Sequence, residues 1–374
     1  MEKPGYRIYQ YVEKWLGGNV AFAIYRMPWT DTPLMVVENG EGVELMYSLT
    51  QLNGKKGFVV APFKSSDQHP IVLIHSDAVT SGWEEMEQLM SVCDVQKQRR
   101  ALLDVGATDQ VIASENEMKA DYKVAFCKFI AEIEKGRFSK LVLSRKASAA
   151  LQKSVSPLDI FLDACNKYPR MMISFLFTPM TGIWIGSSPE IIVSGNGNAW
   201  KTVALAGTMP IVDEKMPTEW SLKNQKEQTY VSDYIYKVLS EYADGITMKG
   251  PYTARAGQLA HRKTDFAFTL KDTSRVGELI HALHPTPAVC GLPKQEAYDF
   301  IVHNEGYDRK YYSGIIGWLD PEGETSLYVN LRCMNICDHV ATFYAGGGIL
   351  KSSEVESEWE ETRHKMNTMK ACLQ

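Results

Sequence analysis

The chain has 374 residues, of which 45% are hydrophobic and 23% charged, enough apolar material for a large buried core. A formal net charge of −5 without any long basic run argues against nucleic acid or an anionic membrane surface as the main partner, yet a few local cations could still hold a small anion. No stretch is apolar over the length of a membrane span, and the start "MEKPGYRIYQYVEKW" has neither a signal core nor a cleavage site, so a cytoplasmic location is expected.

The first hundred residues show short β-like runs, "NVAFAIYRM", "KKGFVVAPF" and "PIVLIHSD", separated by Gly, Asn, Asp and Pro signals, which predicts an antiparallel sheet. Residues 83 to 110 are polar with weak periodicity and read as a connecting arm of short helices. "SENEMKADYKVAFCKFIAEIEKG" predicts a helix, with Ser114 and Glu117 as a capping box, Met118, Tyr122, Phe126, Phe129 and Ile133 as its apolar stripe, and Gly136 as its stop.

Beyond it "KLVLSRKAS", "MMISFLF", "GIWIGSS", "IIVSG", "WKTVALAG", "YYSGIIGWLD", "SLYVNLRCMNI" and "VATFYAGG" read as strands, several joined by hairpin-like turns. Helices are predicted over 157–167, 219–243, 274–283, 294–304 and 354–372. Many consecutive strands with few interleaved helices predict an α+β fold with large, mostly antiparallel β-sheets. Residues 1–110 are expected to form an N-terminal β-rich part of that same fold, and 111–374 to carry the chemistry. The seven cysteines are scattered without a CxxC pair, so neither a disulfide framework nor a zinc site is indicated, and Cys333 and Cys337 read as packing residues.

The last predicted helix has an unusual acid placement. Ser353 and Glu356 read as its capping box, and Val355, Trp359, Thr362, Met366 and Met369 recur as a buried stripe. Glu358, Glu361 and Lys365 border that stripe rather than oppose it. An i,i+4 pair of Glu361 with Lys365 on a solvated helix explains this in isolation. Other features are equally bland one at a time. Lys140 begins "KLVLSR", where strand alternation puts Lys140, Val142 and Ser144 on one face; it is a solvated end charge unless it points into a closed cleft and serves as a base. Glu190 follows Pro189 in "SSPE" at a strand junction. Glu227 lies on the first turns of a helix, where a dipole-favoured surface acid is ordinary. "ALAGT" and "YAGGGI" are glycine-containing strand exits that could hold a carboxylate on backbone amides, and neither matches a nucleotide-binding loop.

Together, and in this order, these segments resemble the chorismate-binding enzyme family of isochorismate, salicylate, anthranilate and aminodeoxychorismate synthases. "KLVLSR", "GSSPEIIV", "ALAGTMP", "HPTPAVCGLP", "EGYDRKYYSGIIGW", "LYVNLRC", "YAGGGI" and "EWEETRHKM" carry the resemblance over roughly residues 140 to 370. It implies two stacked antiparallel sheet halves with outer helices and an active site between them. It further implies that Glu227 and Glu361 ligate Mg²⁺, with Glu358 as an outer or additional ligand. Arg332 would hold the enolpyruvyl carboxylate of chorismate, Lys365 would balance charge, and backbone amides around Gly207, Thr208, Gly346 and Gly347 would seat carboxylates. His261 would approach the substrate ring.

The resemblance assigns Lys140 as the base that activates water and Glu190 as the acid that protonates the leaving hydroxyl. Anthranilate synthases typically carry Gln at position 140 and aminodeoxychorismate synthases Lys at position 206, where this chain has Ala206. Water addition at C2 with loss of the C4 hydroxyl, hence isochorismate synthesis without a glutamine amidotransferase subunit, is therefore expected. "HPTPAVCG" favours this over salicylate synthesis, and menaquinone biosynthesis is the expected pathway, with siderophore synthesis and a catalytically inactive binding protein as alternatives. Gln228, the Met209–Pro210 pair and Gly347 depart from residues frequent in the family.

Overall fold

β-branched and aromatic runs that alternate, or that are apolar throughout, bury one or both faces of a sheet. The computed structural model describes residues 1–38, 42–75, 79–93, 113–211 and 213–373, and within them such runs form two nine-stranded sheets. The first sheet runs in the order Gly291–Leu292, Lys140–Ala150, Val340–Ile349, Cys333–Cys337, Gly182–Ser188, Met172–Thr178, Ala21–Arg26, Leu34–Glu38 and Thr80–Ser81. The second runs Ala243–Ala256, Leu259–Leu270, Ala199–Pro210, Ile191–Asn196, Thr325–Val329, Ile315–Leu319, Gly57–Ala61, Ile71–Ile74 and Glu44–Met46. Neighbouring strands are antiparallel, as in the pairing of Val340–Ile349 with Lys140–Ala150 and of Ala199–Pro210 with Leu259–Leu270. The fold is α+β, as expected.

The main core lies between the sheets, with Ala23, Tyr25 and Trp184 of the first against Val59, Val193 and Leu327 of the second. Helices Tyr6–Leu16, Gly82–Val92 and Pro157–Lys167 cover the outer face of the first sheet over a second core. A third cluster joins Phe126 and Phe129 of helix Glu115–Glu134 to Leu141, Leu143 and Trp359. Among the described residues no helix is long and apolar enough to cross a membrane.

Several expectations need correction. The early β-runs do not form one sheet: Ala21–Arg26 and Leu34–Glu38 join the first, Gly57–Ala61 and Ile71–Ile74 the second. Tyr6–Leu16 is a helix whose Ile8, Val12 and Trp15 are buried. Of the supposed arm, Gly82–Val92 is helical and residues 94–110 lie outside the described ones. Helix Glu115–Glu134 has the predicted Ser114–Glu117 capping box. The last helix, Val355–Lys370, lacks the predicted Ser353–Glu356 box: its N-cap is Glu354, the Ser353 hydroxyl accepts from Leu350 N–H, and Glu356 pairs with Lys119. Cys333 packs in the core, but Cys337, at the far end of the same strand, is exposed.

Candidate active site

The chain crosses from the first sheet to the second between Ser188 and Ile191, and back between Val329 and Cys333. Glu190 and Arg332 stand at these crossings. The crossings bind each other, since Val329 N–H donates to the Glu190 carbonyl at 2.9 Å and Ser187 N–H to the Arg332 carbonyl at 3.1 Å. Arg332 takes a left-handed backbone, φ +48°, a conformation tolerated where surrounding structure over-determines it.

Helix Leu222–Tyr242, capped by the Ser221 hydroxyl, packs along strand Ala199–Pro210 and carries Glu227. Its close approach depends on Gly207, which sits in a bulge between Ala206 and Thr208 at φ +74°. A Cβ there would lie 3.1 Å from the Asn224 carbonyl oxygen. Gln228 bolts the same helix down, its amide donating to the Ser232 and Thr264 hydroxyls at 2.7 Å each.

These elements line one cavity. Glu190, Ala206, Glu227, His261, Arg332 and Lys365 line it. So do Gly207, Thr208 and Gly346. Lys140, Gly347, Glu358 and Glu361 are not on its wall: Lys140 reaches it through Glu227, Glu361 through Lys365, and Gly347 lies between the lining residues Gly346 and Gly348. Lys140 is fully buried, with Nζ 3.0 Å from Glu227 Oε1 in an ion pair too bent to count as a hydrogen bond. Gly348 makes room for that pair, since a Cβ on it would fall 2.1 Å from Glu227 Oε1 and 2.8 Å from Lys140 Cε.

Glu190 is 2% exposed. Burial raises its carboxyl to about 7 against the opposing pull of Arg332 and Lys140, and Thr286 donates to its Oε1 at 3.4 Å. A carboxyl at that level can give up a proton near neutral pH. Arg332 Nη2 lies 2.9 Å from His261 Nε2, and His261 Nδ1 lies 3.0 Å from the Gly207 carbonyl. Burial, then the charges of Arg332 and Lys365, push the imidazole down to about 3.

On helix Val355–Lys370, Lys365 Nζ donates to Glu361 Oε1 at 2.7 Å and to the Gly346 carbonyl at 2.8 Å. The i,i+4 pair therefore also reaches the glycine strand. Burial would raise the Glu361 carboxyl, but Lys365 and Lys223 outweigh it and hold it well below the usual range. Burial and the Glu361 charge push Glu358 the other way. Glu358 Oε1 accepts from Lys223, while its Oε2 is buried without a hydrogen bond.

The residues present suit a hard divalent cation. Glu227, Glu358 and Glu361 offer only oxygen, Glu358 Oε2 is an orphaned buried acceptor, and Cβ atoms on Gly347 and Gly348 would fill the space beside these carboxylates. Among the described residues no three His, Cys, Asp or Glu side chains are gathered tightly enough to cage an ion alone. An ion held there would need water or substrate to complete its shell.

Sequence reading missed several contributors. Val142 and Tyr312 line the cavity, Lys223 neutralises Glu358, and Thr286 bonds Glu190. Val142, Thr286 and Tyr312 lie inside quoted motifs, so their segments were marked but not their roles. Lys223 stands one helical turn before Glu227, a spacing that would have put both on one face.

A sequence model of the family described as chorismate binding enzyme matches residues 57–374. The vibriobactin-specific isochorismate synthase of Vibrio cholerae is 31% identical over 245 residues, which is 63% of this chain and 62% of that relative's length. Two solved structures share the fold. The menaquinone-specific isochorismate synthase of Escherichia coli matches with a TM-score of 0.76 and 20% identity, over 96% of this chain and 91% of that one. Anthranilate synthase component I of Streptococcus pneumoniae matches at 0.65 and 16%, over 93% and 92%.

Proposed function

Because the chain belongs to the chorismate binding enzyme family, we propose that it isomerises chorismate to isochorismate. The single observation that carries this reading is Glu190, a carboxyl buried on the wall of the cavity that Arg332 also lines. In the reaction Lys140, once its ammonium proton has passed to solvent, takes a proton from water as the water oxygen bonds to C2. The ring double bond shifts, the C4–O bond breaks, and Glu190 gives its proton to the departing hydroxyl, which leaves as water. Proton exchange with solvent then returns Lys140 and Glu190 to their starting forms.

Arg332 would take the enolpyruvyl carboxylate through its planar guanidinium. Bound Mg²⁺ would supply charge neutralisation between the ring carboxylate and the acids Glu227 and Glu361, with Glu358 adjoining. Lys365 would balance the charge left over, and Gly207, Thr208, Gly346 and Gly347 would line the carboxylate seats. Ala206 on the cavity wall, where aminodeoxychorismate synthases typically carry Lys, supports water over ammonia as nucleophile. No glutamine amidotransferase subunit is then required.

The test is to incubate the protein with chorismate and Mg²⁺, with and without chelator, and identify products. Metal-dependent isochorismate supports the reading. Salicylate with pyruvate would assign a further elimination step to the site, and unchanged chorismate would leave a binding protein. We place the reaction in the cytoplasm and its product in menaquinone supply. Similarity to the vibriobactin-specific relative carries siderophore supply as the second reading. Loss of menaquinone on deletion of the gene supports the first; loss of a catechol siderophore with quinone intact supports the second.

A further inference from the structure

The contacts of His261 fix where its proton sits. Nδ1 lies 3.0 Å from the Gly207 carbonyl and 3.3 Å from the Thr208 hydroxyl. A carbonyl oxygen only accepts, so Nδ1 carries the hydrogen and donates it. Nε2 lies 2.9 Å from Arg332 Nη2, and a guanidinium only donates, so Nε2 presents its lone pair. Each ring nitrogen has one chemically permitted role, and together they specify a single neutral tautomer.

We propose that His261 is a positioning residue for the substrate carboxylate: a neutral Nδ1–H imidazole that spans from the Gly207 carbonyl to the Arg332 guanidinium and aims the latter into the cavity. The surrounding groups agree. Arg332 and His261 are 6% and 4% exposed, and Arg332 Nε is buried without a hydrogen-bond partner, so one donor edge of the fork remains available for an incoming anion. Arg332 enters from a sheet crossing with a left-handed backbone, and its long side chain has several rotamers to choose from. An acceptor fixed by the opposite sheet removes that choice before substrate arrives.

The other charged groups facing His261 are Lys365 and Glu361. Burial beside two cations keeps the ring neutral, which preserves the lone pair that Arg332 needs. An imidazolium would set two donors against each other. The same bonds remove His261 from proton transfer, because its hydrogen is committed to Gly207 and its lone pair to Arg332. His261 also ties the bulge at Gly207, which admits the Glu227 helix, to the arginine proposed to hold the carboxylate, so both halves of the cavity share one register.

The kinetic consequence rests on the proposed chorismate reaction; the tautomer does not. Nitrogen-15 NMR of imidazole-labelled protein, assigned with His261→Gln, should show Nδ1 protonated and Nε2 bare, unchanged between about pH 6 and 8, where ordinary histidines titrate. A protonated Nε2, or titration in that window, would overturn the inference. In the product assay His261→Leu should raise KM for chorismate about 100-fold with kcat little changed, the mark of lost carboxylate positioning in ground and transition states alike. His261→Gln, whose carboxamide can donate to Gly207 and accept from Arg332, should recover most of that loss. A fall in kcat at constant KM, without recovery in His261→Gln, would assign proton transfer to the ring and refute positioning. If the wild-type protein leaves chorismate unchanged, the proposed reaction fails while the NMR result still decides the tautomer.

Discussion

Lys140 Nζ lies 3.0 Å from Glu227 Oε1, with the lysine side chain wholly buried and that of the glutamate 9% exposed. A buried pair is a weak source of net stability, but removing one partner strands the other charge at a cost of about 3–5 kcal/mol. Lys140→Ala should therefore lose stability of that order along with all turnover. Magnesium should restore more stability to the variant than it adds to the wild type, because the stranded Glu227 gains a cation. Thermal denaturation with and without Mg²⁺ measures both terms. Equal melting of variant and wild type would show that the pair carries no structural weight.

Burial raises Glu190 from 4.5 to about 7. The folded chain thus keeps a proton that the unfolded chain releases, so the group favours the native state below its unfolded pKa and that contribution is lost as pH rises through 7. Glu190→Gln, which cannot ionise, should gain stability over the wild type by on the order of 2 kcal/mol between about pH 5 and 8. Wild-type kcat/KM should fall above about pH 7 as the acid deprotonates, and Glu190→Gln should be inactive throughout. Denaturant titrations at several pH values check the first point; parallel stability curves for the two proteins would contradict it.

A Cβ on Gly348 would displace the Glu227 carboxylate and crowd Lys140. Gly348→Ala should separate the pair and cut turnover about 100-fold, at a stability cost of about 1–3 kcal/mol. Circular dichroism should show the sheets intact. Wild-type kinetics in this variant would mean that the ion pair can shift without consequence.

Magnesium should stabilise the protein by about 2.7 kcal/mol at a hundred times its dissociation constant, and a chelator should remove the gain. Glu361→Gln and Glu227→Gln should each weaken this protection. Calorimetric titration with Mg²⁺ alone gives the affinity, and identical binding in both variants would move the metal elsewhere.

The apolar run that opens 140–150 and the helical periodicity of 222–242 made those elements readable: the strand is buried on both faces over Lys140–Arg145, and the helix buries one face. Ala243–Ala256 was not readable, since it is an edge strand exposed over most of its residues and carries no apolar rhythm. The division of the early strands between two sheets was equally hidden: a strand's pattern states which face is buried, not which neighbour covers it. Ser353 misled for a similar reason, because its hydroxyl could serve either a helix amide or the preceding turn, and it serves Leu350.

The amino-acid order by itself determined the chemical inventory: which acids, lysines, arginine and histidine exist, at what spacing, and in which recognisable motifs. Only the tertiary structure decided that Lys140 meets Glu227, that Lys223 meets Glu358, and that His261 takes Arg332 rather than facing the cavity with an unengaged nitrogen. Such meetings join strands and helices far apart in the chain. Their distances follow from sheet order, crossings and the few glycines that permit close approach, none of which a local periodicity can encode.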